Sequence, residues 1–179
     1  MILKILWYML PAYVANSMPI YAKAIFGKRF DTAVDFGKRW HGKPIFGSHK
    51  TFRGFVSGIA GAVVCVVLQA GLVAYPAISA INLVDYSKIN LVWYGFLIGF
   101  GALLGDAVKS FFKRRVNIKP GASWKPWDWI DFVAGSVVLS SGVFMPSAKI
   151  IVGAFLITPF LAVAAVRIGY YLKLRDVEW

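Results

Sequence analysis

The chain is short of thiols and of negative charge. A single cysteine, Cys65, among 179 residues excludes an intrachain disulfide, a multi-thiolate zinc site and a cysteine-ligated iron–sulfur cluster. Cys65 lies in the middle of an apolar run and reads as a small hydrophobe. The two histidines, His41 and His49, stand eight apart with no cysteine nearby, a poor zinc pair. Aspartate and glutamate total 8 against 20 Lys+Arg, a net charge of +12. That balance suits anionic lipid surfaces or phosphorylated ligands and does not by itself call for nucleic acid, which is not an expected partner. No low-complexity linker or repeat divides the chain, so residues 1–179 read as one domain.

Apolar residues, by contrast, are abundant. They make up 59% of the chain against 16% charged, outside the range of a soluble domain. Stretches free of Asp, Glu, Lys and Arg run over Ile5–Ala22, Gly54–Val84, Ile89–Gly105, Phe132–Ala148 and Ile150–Val166. They predict an all-α integral membrane protein with five spans, near residues 5–23, 54–78, 89–110, 130–146 and 149–171. Seventeen of the twenty basic residues fall in Lys23–Arg53, in Lys109–Lys125 or at Arg167, Lys173 and Arg175. The remainder, Lys4, Lys88 and Lys149, fall on the other side. Basic loops stay in the cytoplasm, so the N-terminus is expected outside, the C-terminus inside, and two long loops, about 24–53 and 111–129, on the cytoplasmic face. Gly54/Gly58, Gly95/Gly99 and Gly101/Gly105 repeat at four-residue spacing, a pattern that lets membrane helices approach closely. Asn16 and Ser17, between Pro11 and Pro19, predict a helix–helix hydrogen bond.

The most informative stretch runs from Gly105 to Phe132. Asp106 shares a helical face with Lys109, Ser110 and Lys113. Asp128 and Asp131, three apart, share the face that opens the fourth span. The loop between them brings all three carboxylates to one membrane level, where a hard divalent cation could take them together with phosphate oxygens. The same acids would also favour a helix N-terminus by ~0.3–1 kcal/mol each, or pair with Lys109, so spacing leaves both readings open. Six cations adjoin them: Lys109, Lys113, Arg114, Arg115, Lys119 and Lys125. Metal beside cations is what a polyphosphate needs; a lipid-headgroup role stays open for Arg115 and Lys125. Trp124, Trp127 and Trp129 read as an aromatic belt. In the first loop, Lys50, Thr51 and Arg53 offer ammonium, hydroxyl and guanidinium groups beside Gly47 and Gly54, without Walker A spacing. Asp31 and Asp35, at i and i+4, read as flanking Lys28 and Lys38 in a surface helix.

These residues resemble the phosphatidate cytidylyltransferase family. Its Ser-x-x-Lys-Arg, downstream lysine and closing Asp-x-x-Asp are matched by Ser110-Phe-Phe-Lys113-Arg114, Lys119 and Asp128-Trp-Ile-Asp131, and its Gly-Asp by Gly105-Asp106. The bacterial-type His-Gly-Gly is missing, Lys119 is followed by Pro120, and Asp128 by Trp129. In these respects the chain is similar to the archaeal CDP-archaeol synthase branch, as are Asn16-Ser17-x-Pro19, Asp35-x-Gly37 and Phe46-Gly47-x-x-Lys50-Thr51-x-Arg53-Gly54. The resemblance implies transfer of CMP from CTP to an isoprenoid glycerol phosphate lipid, releasing pyrophosphate, at the cytoplasmic face of the cell membrane with Mg2+, or Mn2+, as cofactor. It implies metal ligation by Asp106, Asp128 and Asp131, CTP binding by Ser110, Lys113, Arg114 and Lys119, and nucleotide or lipid-phosphate contacts from Lys50, Thr51 and Arg53. Two other readings remain, a CTP-dependent polyprenol kinase and a non-enzymatic scaffold or transporter.

Overall fold

The computed structural model describes residues 1–119 and 122–171. Pro120 and Gly121, and the orientation-setting Lys173 and Arg175, lie outside the described residues. Helix α1 covers Ile2–Phe26 and contains Pro11 and Pro19. Each proline lacks the N–H that would bond the carbonyl four residues earlier. The carbonyl of Trp7, freed by Pro11, accepts a 2.6 Å bond from Gln69 Nε2 in helix α2 (Phe52–Leu72). The carbonyl of Ala15, freed by Pro19, lies against Gly58, where an added Cβ would come within 2.7 Å of it. Two prolines therefore fix where α2 docks on α1. Ser17 Oγ donates to the Tyr13 carbonyl of its own helix at 2.8 Å, which replaces the helix–helix bond expected of it.

Thr51 caps α2 by accepting the Gly54 N–H at 3.2 Å. The helix stops at Leu72, short of residue 78, because Pro76 opens a separate four-residue helix α3 (Pro76–Ser79) and the residue before a proline is held extended. Helix α4 spans Leu91–Arg115, with Asn90 accepting the Trp93 N–H at 2.9 Å. Its last turn carries Lys113, Arg114 and Arg115, which complement the negative end of the helix dipole. Helix α5 spans Trp127–Ser140, ending six residues before the expected 146. At ~1.5 Å per residue it reaches ~21 Å, less than a ~30 Å hydrocarbon core. The stop coincides with Ser140-Ser141-Gly142, residues that favour turns over helix. Helix α6 spans Ala148–Tyr171. By length and composition α2 and α4 are the helices among the described residues able to cross a membrane.

Helix α4 is central, packing against α1, α2 and α5. Its glycines set the distances. A Cβ on Gly95 would meet Val63 at 2.7 Å and one on Gly99 would meet Ile59 at 2.9 Å, both on α2, while Cβ atoms on Gly101, Gly105 or Gly135 would overlap the backbone across the α4–α5 contact. Small residues allow such approach where no hydrophobic force acts between helices. The core between them holds Ile5, Met9, Ala62, Val66, Tyr94, Ile98, Phe132 and Val133.

The first polar loop departs from an all-α architecture. Strands β1 (Arg39–Trp40) and β2 (Lys43–Pro44) form a small antiparallel hairpin. His41 and Gly42 turn it at φ of 49° and 74°, the left-handed pair of a two-residue hairpin turn. The surface helix expected around Asp31 and Asp35 is absent. Short backbone bonds hold the chain in turns instead, from the Phe36 N–H to the Ala33 carbonyl and from the Lys38 N–H to the Asp35 carbonyl, while the Asp35 carboxylate accepts the N–H groups of Gly37, Phe46 and Gly47.

Candidate active site

The Gly101/Gly105/Gly135 crossing brings the start of α5 beside the C-terminal turns of α4, so Asp106 meets Asp128 and Asp131. At their centre stands Lys109. Its Nζ lies 3.0 Å from Asp106 Oδ1, 2.9 Å from Asp128 Oδ1 and 2.7 Å from Asp131 Oδ2, with only 12% of its side chain exposed. Sequence reasoning counted Lys109 among the cations but did not place it in the site; the available signal was its i+3 spacing from Asp106. Lys50, from the first loop, pairs with the other Asp106 oxygen. Lys113, buried, donates to Asp128 at 2.9 and 3.3 Å and to the Ala122 carbonyl at 2.5 Å. The Trp124 N–H also bonds Asp128. Burial alone would raise the Asp128 pKa, but the Trp124 N–H and the Lys109 and Lys113 ammonium groups outweigh it and hold the carboxyl below its usual range.

Asp131 Oδ2 is buried, and among the described residues its polar partner is the Lys109 ammonium at 2.7 Å. Among the described residues no three acidic, histidine or cysteine side chains enclose a metal volume as they stand. The donor chemistry nonetheless fits a hard cation, since three carboxylate oxygens from three side chains already surround one cationic nitrogen within 3.0 Å.

The remaining sequence candidates divide. Arg114 is buried, and its Nε has no hydrogen-bond partner among the described residues. Desolvation pulls its pKa down, the mark of a cation with little compensation. Lys119 is exposed. The Ser110 hydroxyl donates to the Asp106 carbonyl at 2.8 Å within α4. Thr51 is occupied as the α2 cap. Arg53 faces away from the carboxylates, donating to the carbonyls of Gly27 at 2.7 Å and Arg29 at 2.6 Å and to Asp31 Oδ1 at 2.8 Å. Arg115 holds the hairpin: it bonds the carbonyls of Trp40 and Pro44 and lies 4.4 Å from the Phe111 ring centroid. Asp35, read from sequence as a surface acid, is buried and accepts N–H bonds from Gly37, Phe46 and Gly47. It thereby shapes the turn that delivers Lys50.

An apolar cavity of about 660 Å³ opens beside the cluster. Leu104, Val108 and Phe112 of α4 face Ile130, Ala134 and Val138 of α5 across it, and Lys109 and Asp131 lie in the same wall. Trp124 and Trp127 line it as well, with ring centroids 6.1 Å apart.

Comparisons with known proteins return relatives over nearly the whole chain. A solved structure described as an intramembrane enzyme for archaeal membrane lipids biosynthesis superimposes with a TM-score of 0.71 at 27% identity, covering 89% of this chain and 90% of that one. The CDP-archaeol synthase of Methanopyrus kandleri is 38% identical over 98% of this chain and 92% of its own length. That of Thermofilum pendens is 36% identical over 98% of this chain and 80% of its own, and that of Pyrococcus furiosus 34% over 99% and 98%. The CarS-like family model for CDP-archaeol synthase matches residues 1–179, so the chain belongs to the CDP-archaeol synthase family.

Proposed function

We propose that this family member carries out CTP-dependent cytidylyl transfer to an archaeal lipid phosphate at the α4–α5 junction, on the cytoplasmic side of a five-span membrane domain whose N-terminus is outside. The observation that carries the reading is the meeting of Asp106, Asp128 and Asp131 within 3.0 Å of one point at the edge of an apolar cavity. A water-soluble nucleotide can reach that point from the basic loops, and a lipid chain can reach it from the bilayer.

Asp106, Asp128 and Asp131 would hold Mg2+ or Mn2+, which supplies charge neutralisation for the phosphates of CTP. An oxygen of the lipid phosphate attacks the α-phosphorus, the bond from the α-phosphorus to the bridging oxygen breaks, and pyrophosphate leaves. The nucleophile is already anionic near neutral pH, so the protein need not supply a base. Arg114 is the strongest triphosphate ligand, because a buried guanidinium with an unsatisfied Nε gains most from an anion. Lys113 and Lys119 add charge near the leaving group, and Ser110 can turn its hydroxyl from the Asp106 carbonyl toward a phosphate oxygen. Lys50 ties the first loop to Asp106. Thr51 and Arg53 support that loop through the cap and the α1 latch rather than by touching the nucleotide. The cavity walls between α4 and α5 accept the isoprenoid chain.

Pyrophosphate release by purified protein in detergent, with CTP, Mg2+ and a geranylgeranyl-type glycerol phosphate lipid, tests the reading. Release that needs both the lipid and Asp128 is expected. Appearance of CDP would indicate transfer of the γ-phosphate, and no turnover at all would indicate a scaffold.

A further inference from the structure

Among the charges of the cluster, Lys109 is the one that touches all three carboxylates. Asp106, Asp128 and Asp131 bring three negative charges; Lys50, Lys109 and Lys113 bring three positive ones. The cluster is thus close to neutral without any metal. A divalent ion bound by these oxygens at ~2.0–2.6 Å would occupy the space now held by the Lys109 ammonium, 2.7–3.0 Å from the same atoms. With no anion between them to bridge the two, an ammonium and a divalent ion at such a separation repel strongly even at an effective dielectric of about 20. One lysine has to leave. Lys113 is tethered to the Ala122 carbonyl, and Lys50 reaches only Asp106. Lys109 has somewhere to go, because among the described residues it is the basic side chain in the wall of the α4–α5 cavity.

We propose that Lys109 is a resident cation that holds the three carboxylates together until a divalent ion displaces it, and that its freed ammonium then turns into the cavity and receives the phosphate of the lipid. The inference rests on the carboxylate-site reading above. It makes lipid-phosphate binding follow metal entry, and it keeps three clustered acids from repelling one another between turnovers. Lys109 then contacts substrate directly, whereas Lys50 and Lys113 stay with their carboxylates as positioning residues.

The test uses the full chain in detergent. Mn2+ binding is followed by electron paramagnetic resonance without nucleotide, in the wild type and in Lys109→Met. With the competing ammonium gone, the variant should bind Mn2+ at least about tenfold more tightly, while KM for the lipid phosphate rises more than KM for CTP. A merely structural lysine would give weaker or unchanged Mn2+ binding, and that result overturns the proposal. If Lys109→Met does not fold, the wild type decides. Acetylation of Lys109 by acetic anhydride, which releases acetate, read by mass spectrometry, should be low in EDTA and rise severalfold when Mn2+ is bound. Equal labelling in the two states overturns the exchange while leaving the metal site standing. Failure of the wild type to bind Mn2+ even with CTP present overturns the metal site itself, and the exchange with it.

Discussion

The two polar loops carry the same kind of sequence, many bases with a few acids, yet they use their charges in opposite ways. In the first loop each buried charge is bonded mainly to backbone. Asp35 accepts three N–H groups, Arg53 donates to two carbonyls, and Arg115 reaches in from α4 to bond two more. In the second region the buried and half-buried charges face one another: Lys109 among three carboxylates and Lys113 on Asp128. Charges bonded to backbone fix the shape of a loop. Charges that face one another can be exchanged for those of a ligand, which is why the proposed site falls in the second region and the first loop supports it.

The sharpest way to break the contrast is to neutralise one charge of each kind. Asp128→Asn should lower pyrophosphate release by at least about 100-fold, the scale of removing one preorganised electrostatic contact, while the melting temperature changes little. Gly135→Leu should come next, through packing. Its side chain would overlap the Gly101 carbonyl, whereas Gly71 has open space around it. Overpacking costs about 1–3 kcal/mol or more, so thermal unfolding in detergent should show a marked drop for Gly135→Leu and almost none for Gly71→Leu.

Arg53→Met should behave in the opposite way to Asp128→Asn. Losing its bonds to the Gly27 and Arg29 carbonyls costs ~0.5–1.5 kcal/mol each, so limited proteolysis should cut the first loop faster while kcat is lowered much less than in Asp128→Asn. The smallest effect concerns pH. Burial would raise the Asp35 pKa, but the bonds from Phe46, Gly47 and Gly37 outweigh it and hold the carboxyl below its usual range. With the folded pKa below the unfolded value of ~3.9, its contribution is complete above that value and is lost as pH falls through the folded one. Pepsin cleavage of the first loop, taken relative to that of an unstructured control peptide at each pH, should therefore rise as pH falls below about 4 in the wild type. In Asp35→Asn it should be raised throughout and nearly flat with pH.

Much of this was legible from residue order. Long uncharged runs mark a chain built for the bilayer, and Gly105-Asp106 with Asp128-x-x-Asp131 marks the carboxylates, because spacing within one helix settles which side chains share a face. The roles of Thr51, Arg53 and Asp35 were not legible. Whether a hydroxyl caps a helix, or a guanidinium meets a carbonyl 26 residues away, depends on how the loop folds back. The end of α5 was misjudged for a related reason: an uncharged run marks solubility in lipid, whereas Ser140-Ser141-Gly142 marks where the backbone turns.

What the sequence determined by itself, then, was the membrane character, the family motif and the three acids, since each depends on local composition or on helical periodicity. Only the tertiary structure decided that Lys109 lies at the centre of those acids, that Lys50 crosses from the other loop to Asp106, and that an apolar cavity opens beside them. These depend on how closely α4 and α5 cross, a distance set by the absence of side chains at Gly101, Gly105 and Gly135 and by the backbone contact that absence permits.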